Sequence, residues 1–439
     1  MITEENKKLA QWAMEYALKN GCQASRISIY YGSNSSFEVR DRKIDRLQQA
    51  SENSMSIQLF VDGRYGSYST NRLDKKELET FIKGGIEATR FLAEDKARTL
   101  PDPSRYYKGG EPDLQLFDAR FDSIDPDSKV ELAMKACDEI MGKDSRIISV
   151  NTSYGDGKEA SYRVASNGFE GENSSSYYHL SAGVSIHGEG EARPESYWSD
   201  SSLYFDTLQK QGIGTTALER VLQKLGQRKV ASGKYAMLVD NLNISRLISP
   251  LISAMSGSAI QQKNSFLLDK LQQKVAGENL TLLDEPHQMR AFGARYFDGE
   301  GIATRRMPII ENGVLKTYFI DTYNANKMGV DPTISGPSII TMPLGTKDKE
   351  GIIRNMDKGV LVTGFNGGNS NSSTGDFSYG IEGFLIENGK IAQPVSEMNI
   401  TGNILTLCNN ILEIGNDPRH NTSWKIPSIL FKDVDFSGL

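Results

Sequence analysis

Four histidines and three cysteines are few metal donors for a chain of 439 residues. Cys22, Cys137 and Cys408 lie far apart and in no paired motif, so no zinc-ribbon or thiol-redox spacing is available. No stretch of about 18 apolar residues occurs, which predicts no membrane span. The first residues, Met1-Ile2-Thr3-Glu4-Glu5-Asn6-Lys7-Lys8, carry no apolar segment of signal-peptide type. Together with the odd cysteine count, this gives an expectation of reduced thiols and a cytoplasmic location. Basic excess is also missing: the net charge is -6, and Lys and Arg are interleaved with Asp and Glu. That charge leaves no footprint for direct nucleic-acid contact.

What is present is the pattern of a soluble globular chain, long enough for two or three domains. Leu9, Trp12, Ala13, Tyr16 and Ala17 fall at helical spacing within residues 3–20. Alternating segments follow at Ile27, Ile29 and Tyr31, at Phe37 and Val39, and at Ile57, Leu59 and Val61, with Asp62-Gly63 as a tight turn. A second helix is predicted over residues 74–92. The same order then recurs. Asp125-Pro126 opens a helix, strands are predicted at 147–153, 160–165 and 178–186, and a closing helix at 206–225. Residues 95–120, rich in Pro, Gly and Asp, read as a connector.

Beyond about residue 229 short apolar runs alternate with glycine-bearing turns. Glu311-Asn312-Gly313 and Glu387-Asn388-Gly389 each sit between such runs and signal hairpins. Helices are predicted near 244–255 and 320–329, and a long loop over 364–375. The fold class is therefore α+β: an N-terminal domain, 1–228, with a duplicated helix–three-strand–helix unit, and a mostly β C-terminal domain, 229–439.

Candidate chemistry is thin. His179 and His187 share a strand face but stand eight residues apart without a third donor, and His287 and His420 lie in turns. Ser256-Gly257-Ser258 lacks the strand–turn–helix setting of an exposed nucleophile. Residues 364–375 hold no lysine for a phosphate loop. Asp298-Gly299-Glu300-Gly301 has too few spaced carboxylates for a calcium loop.

Several segments together carry a resemblance. Thr374-Gly375-Asp376-Phe377-Ser378-Tyr379-Gly380, Gly383-Phe384-Leu385-Ile386-Glu387-Asn388-Gly389-Lys390-Ile391 and Pro394-Val395-Ser396-Glu397 resemble the C-terminal signature of the TldD/PmbA family. Phe297-Asp298-Gly299-Glu300-Gly301, Tyr323-Asn324-Ala325-Asn326-Lys327-Met328-Gly329 and Gly415-Asn416-Asp417 resemble further family turns and a helix. Ser265-Phe266-Leu267-Leu268-Asp269-Lys270-Leu271 resembles a stretch of its PmbA branch.

The resemblance implies a set of zinc metallopeptidases, also labelled modulators of DNA gyrase. In the catalytic branch a His-Glu-x-x-x-His helix and a late cysteine hold zinc. Alignment through Met255-Ser256-Gly257 puts Ile248 and Ser253 at the histidine positions and Ser249 at the glutamate. Alignment through Gly415-Asn416-Asp417 puts Ile426 near the cysteine. No catalytic residue is carried over, no cofactor is expected in this chain, and zinc is expected in a partner alone. Ser249-Pro250 reads instead as a helix cap followed by proline at the first turn.

By this resemblance the chain looks like the metal-less PmbA (TldE) branch: a noncatalytic subunit that dimerises with a zinc-bearing TldD-type chain and acts on unfolded peptides. Two alternatives stand beside it. One is a peptidase in its own right, assembled as a homodimer. The other is a protein-binding regulator of gyrase or of toxin–antitoxin systems.

Overall fold

The computed structural model describes residues 1–438. The first unit opens with α1 (Glu4–Lys19), where Thr3 Oγ1 accepts from the Asn6 amide and the Asn6 side chain accepts from the Thr3 amide, a reciprocal cap. Its Ala10, Ala13 and Ala17 face lets the helix lie close on the sheet. Three antiparallel strands follow, β1 (Ala24–Arg40), β2 (Lys43–Val61) and β3 (Arg64–Thr70), then α2 (Lys75–Arg90), capped by Asp74. The second unit repeats the order: α3 (Pro126–Asp138), β4 (Ile147–Ala165), β5 (Glu170–Ile186), β6 (Glu195–Ser202) and α4 (Ile213–Leu222).

The six strands form one antiparallel sheet in the order β3-β2-β1-β4-β5-β6. The first strands of the two units pair at its centre, from Arg26 opposite Ala165 to Arg40 opposite Asn151. The order reads third, second, first, first, second, third, so the duplication extends to the sheet itself. Each unit keeps its own apolar core under its own helices.

The strands differ from expectation in two ways. Segments predicted as separate are single long strands, because polar stretches such as Ser33–Ser36 continue the ladder with one face toward solvent. The third strand of each unit, β3 and β6, is rich in Tyr, Ser and Gly or Asp and has no apolar alternation to announce it. Asp62-Gly63 does turn as predicted, with both φ angles positive (51° and 72°). The closing helix is shorter than predicted. Gly212 (φ 77°) starts it, and the Glu139 carboxylate, from just past α3, accepts from the amides of Gly212, Gly214 and Thr215.

The connector over 95–120 straps the two halves together. Tyr323 donates to Asp95 (2.9 Å), Lys327 pairs with Asp95 (3.2 Å), Tyr106 bridges to Ile302, and the Tyr107 and Tyr296 rings stack 5.4 Å apart.

In the C-terminal region β7 (Gly233–Val239) leads into α5 (Ser245–Ala254) and α6 (Gly257–Gln261). The short strands β8 (Leu282–Asp284), β9 (Met307–Glu311) and β10 (Val314–Leu315) precede α7 (Thr322–Met328), β11 (Ile340–Thr341) and α8 (Lys349–Arg354). Three long strands, β12 (Lys358–Ser370), β13 (Asp376–Glu387) and β14 (Lys390–Asn403), come next. Then come α9 (Ile404–Asn409), β15 (Ile411–Ile414), β16 (Trp424–Lys425) and β17 (Ile429–Ser437).

The main sheet runs β14-β13-β12-β7-β17-β15, and β14 also pairs with β17 through Asn399–Thr401, so five strands close on themselves. Period-two alternation sends Met237, Val239, Val360, Val362 and Phe431 to one core. Leu238, Leu361 and Leu430 go to a second core with Ile352 and Ile353 of α8. A smaller sheet, β10-β9-β8-β11-β16, lies beside it. Asn312-Gly313 and Asn388-Gly389 are the predicted hairpin turns, with all four φ angles positive.

Two further readings are corrected. Ser249-Pro250 does not begin α5, and Pro250 lies inside it. The helix starts earlier because the Asp240 carbonyl accepts from the Asn243 and Ile244 amides and Asp240 Oδ1 accepts from Asn243, winding the chain before Ser245. The glycine-rich run over 364–375 is mostly strand, since Gly367 and Gly368 (φ 99° and 88°) supply a bulge and the turn itself spans 371–375. The mixed α+β class and the β-rich C-terminal region stand as predicted. Among the described residues no helix is long and apolar enough to cross a membrane.

Candidate functional site

A cleft of about 860 Å³ lies between the second helix–strand unit and the closed sheet. Two strand edges line it. β6 pairs with β5 alone, and its Glu195–Ser199 segment lies along one wall. β12 pairs with β7 over Gly359–Val362, and beyond that point its outer edge, Thr363 to Asn366, faces the cleft. Asn243 holds this edge in place by donating to the Thr363 carbonyl (2.9 Å) and to Asp240 Oδ1 (2.7 Å). Lys224, in the turn just past α4, crosses from the other side to Glu382 of β13 at 2.6 Å and also donates to the Glu195 carbonyl at 2.7 Å.

A neighbouring cavity of about 560 Å³ shares Leu242, Asn243, Phe365 and Arg419 with the cleft and extends to Ser249 on α5. Arg419 arrives on the loop after β15. Asp417 fixes that loop by accepting from the Ser428 amide (3.0 Å) and hydroxyl (2.8 Å), while Asn241 donates to the Asp417 carbonyl (2.6 Å).

The four degenerate metal positions present no ligand set. Ile248 (1% exposed) and Ile426 (0%) are sunk in the same large core, Ser249 is on the cavity wall, and Ser253 is exposed. Two hydrocarbon side chains and two neutral hydroxyls offer no donor set for zinc, so the residues present do not fit that ion. Among the described residues no three His, Cys, Asp or Glu side chains cluster as metal ligands.

The histidines are dispersed. His179 on β5 shares a hydrogen bond with Ser201 Oγ (2.8 Å), and burial lowers its pKa, with Asp200 opposing. His287 meets Thr304 Oγ1 (3.0 Å). His187 follows β5, and His420 is exposed. All three thiols are buried, which pushes Cys22 up to about 11 and Cys408 up to about 12. At neutral pH they are protonated and unreactive.

The acidic turn at 298–301 is structural. Asp298 Oδ1 accepts from the Glu300 and Ile302 amides and Oδ2 from Ser335, while Glu300 accepts from the Thr322 amide and hydroxyl. Ser256 caps α6. Lys224 and Glu382 had no local signal, being 158 residues apart in sequence.

Fold and cleft define an α+β protein in which two strand edges face one cleft. Residues 232–438 match the PmbA/TldA metallopeptidase C-terminal domain, 119–225 the central domain and 26–89 domain 1. The chain belongs to the TldD/PmbA family. It is 29% identical over 440 residues to the metalloprotease PmbA homolog of Haemophilus influenzae, covering 99% of this chain and 96% of that one. A crystal structure from Bacteroides thetaiotaomicron named for modulation of DNA gyrase is 67% identical, with TM-score 0.98 and full coverage of both chains. TldE from Thermococcus kodakarensis, 22% identical, shares the fold at TM-score 0.85 over 98% of this chain and 100% of that one.

Proposed function

We propose that this chain is a noncatalytic member of a metallopeptidase assembly. It holds an extended peptide in the cleft while a zinc-bearing TldD-type chain supplies the hydrolytic centre. One observation carries this reading: the cleft is lined by two strand edges, β6 and the end of β12, that pair with no further strand there, whereas Ile248 and Ile426 occupy the hydrophobic core. An exposed strand edge offers main-chain donors and acceptors to any extended peptide, so affinity comes from backbone and is tolerant of sequence. An unfolded segment can lay its main chain along such an edge without giving up contacts of its own, which favours unfolded chains over folded ones. The relatives named metalloprotease PmbA support a link to peptide hydrolysis. Without a Lewis acid or general base at Ser249, water activation falls to the partner.

The test is zinc content by mass spectrometry on untagged protein, followed by mixing with the TldD-type chain from the same genome. The expected result is no zinc in this chain, no peptidase activity alone, and a stable complex by light scattering that cleaves unfolded peptides. One zinc per chain with chelator-sensitive cleavage by the pure protein would replace this reading with that of a self-sufficient peptidase.

A further inference from the structure

The cleft carries the opposite charge to the protein. The chain has a net charge of -6, yet the cleft and its neighbouring cavity are lined by Arg193, Arg220, Lys224, Arg246 and Arg419 against two carboxylates, Glu195 and Glu382. Lys224 and Glu382 neutralise each other at 2.6 Å. Among the described residues the four arginines have no carboxylate within ion-pair distance, although Asp240 acts on Arg220 through space.

Contacts of Arg220, Arg246 and Arg419 hold these three in place without neutralising them. Arg220 lies 5.6 Å from the Trp198 ring centre, and its Nε is buried with no acceptor. Arg419 Nε donates to Asn421 Oδ1 (2.7 Å), and Asn421 is itself anchored to Asp200 (2.6 Å). Arg246 donates to the Gly368 carbonyl (3.1 Å) and faces the Tyr379 ring at 4.9 Å.

A guanidinium fork is matched by a carboxylate, which it binds through two parallel hydrogen bonds. A polar group left unpaired in a partly desolvated site favours any ligand that completes it. We propose that the cleft selects extended peptides that bear carboxylates, with Arg220 and Arg419 as the anchors. This rests on the peptide-holding reading above and adds the substrate class. A strand places alternate side chains on one face about 6.5–7 Å apart, so a peptide laid along β6 or β12 presents every second residue to these cations.

The experiment is fluorescence anisotropy with the full chain and three labelled ten-residue probes: alternating Glu and Thr with an amidated C-terminus, alternating Gln and Thr amidated, and alternating Gln and Thr with a free C-terminus. The Glu probe is expected to bind at least about tenfold more tightly than amidated Gln at low salt, with the gap shrinking at high salt. Tighter binding of the free-terminus probe alone would assign the carboxylate to the peptide end. Arg220→Gln and Arg419→Gln, on separate elements and checked for folding by circular dichroism, should each reduce the ratio severalfold.

Equal binding of all three probes, or a preference untouched in both variants, overturns the carboxylate selectivity while leaving peptide binding in place. Failure of all three probes to bind overturns the peptide-holding reading and this one with it. Equal competition by a ten-residue oligothymidylate would show a general polyanion site and overturn it as well.

Discussion

Lys224 and Glu382 meet at 2.6 Å, joining the turn after the last helix of the second unit to strand β13 of the closed sheet across the cleft. Their side chains are 13% and 20% exposed, so solvent weakens the pair but does not erase it. A cycle built from Lys224→Met, Glu382→Gln and the double variant should give a coupling of about 1–2 kcal/mol by urea unfolding at low salt. The coupling should fall in 1 M NaCl. A value near zero at low salt would mean the two halves are held by the connector and apolar contacts without this bridge.

Asp240, at the β7–α5 elbow behind the cleft, is 2% exposed. Burial raises its pKa, against hydrogen bonds from Asn243 and the fields of Lys349 and Arg220. With a folded pKa above the unfolded one, its contribution to stability is present below the unfolded value of about 4 and is lost as pH rises through the folded value. Asp240→Asn keeps an oxygen for Asn243 and removes the charge. Its unfolding free energy, measured from pH 4 to 8, should therefore fall less with rising pH than that of the wild type. Parallel curves would show that Asp240 is ionised at no cost.

Gly383 and Gly84 should respond oppositely to alanine. A Cβ on Gly383 would fall against the Leu361 carbonyl oxygen and the Val362 Cα where β12 bulges against β13, and that backbone cannot move aside. Gly383→Ala is expected to cost about 3 kcal/mol or more. Gly84, in α2, has nothing within 4 Å of its added Cβ, and Gly84→Ala should stabilise by about 0.5–1 kcal/mol. Thermal unfolding of both variants decides it. A mild effect at Gly383 would mean that the bulge shifts register.

The family segments, the duplicated unit and the three type-I′ Asp-Gly and Asn-Gly turns were legible because they are local. Asp62-Gly63 and Asn388-Gly389 fold as short-range chemistry dictates. β3 and β6 were not legible, since Tyr-, Ser- and Gly-bearing edge strands take their shape from a neighbour's ladder and not from an apolar pattern. Nor was the cleft. It forms where α4, β6, β12 and the Arg419 loop meet, and its defining pair is 158 residues apart. The Glu139 cap on α4 is a contact of the same kind, separated by 73 residues or more.

Lys129 and Asp156 make a buried ion pair inside the second unit, at 2.5 Å with 7% and 0% residue exposure. Asp156 Oδ2 also accepts from the Tyr154 hydroxyl (3.0 Å), Oδ1 has no partner, and the ammonium lies 5.5 Å from the Phe121 ring. Lys129→Met would leave a carboxylate in the core with a single neutral donor, which should cost about 3–5 kcal/mol by urea unfolding. Adding Asp156→Asn removes the stranded charge while retaining an acceptor for Tyr154. The double variant should therefore recover at least about half of that loss, because desolvating the lone ion is the larger part of the penalty. If the double is as unstable as the single, then the defect lies in the packing of the lysine stem against Phe121 and not in the charge.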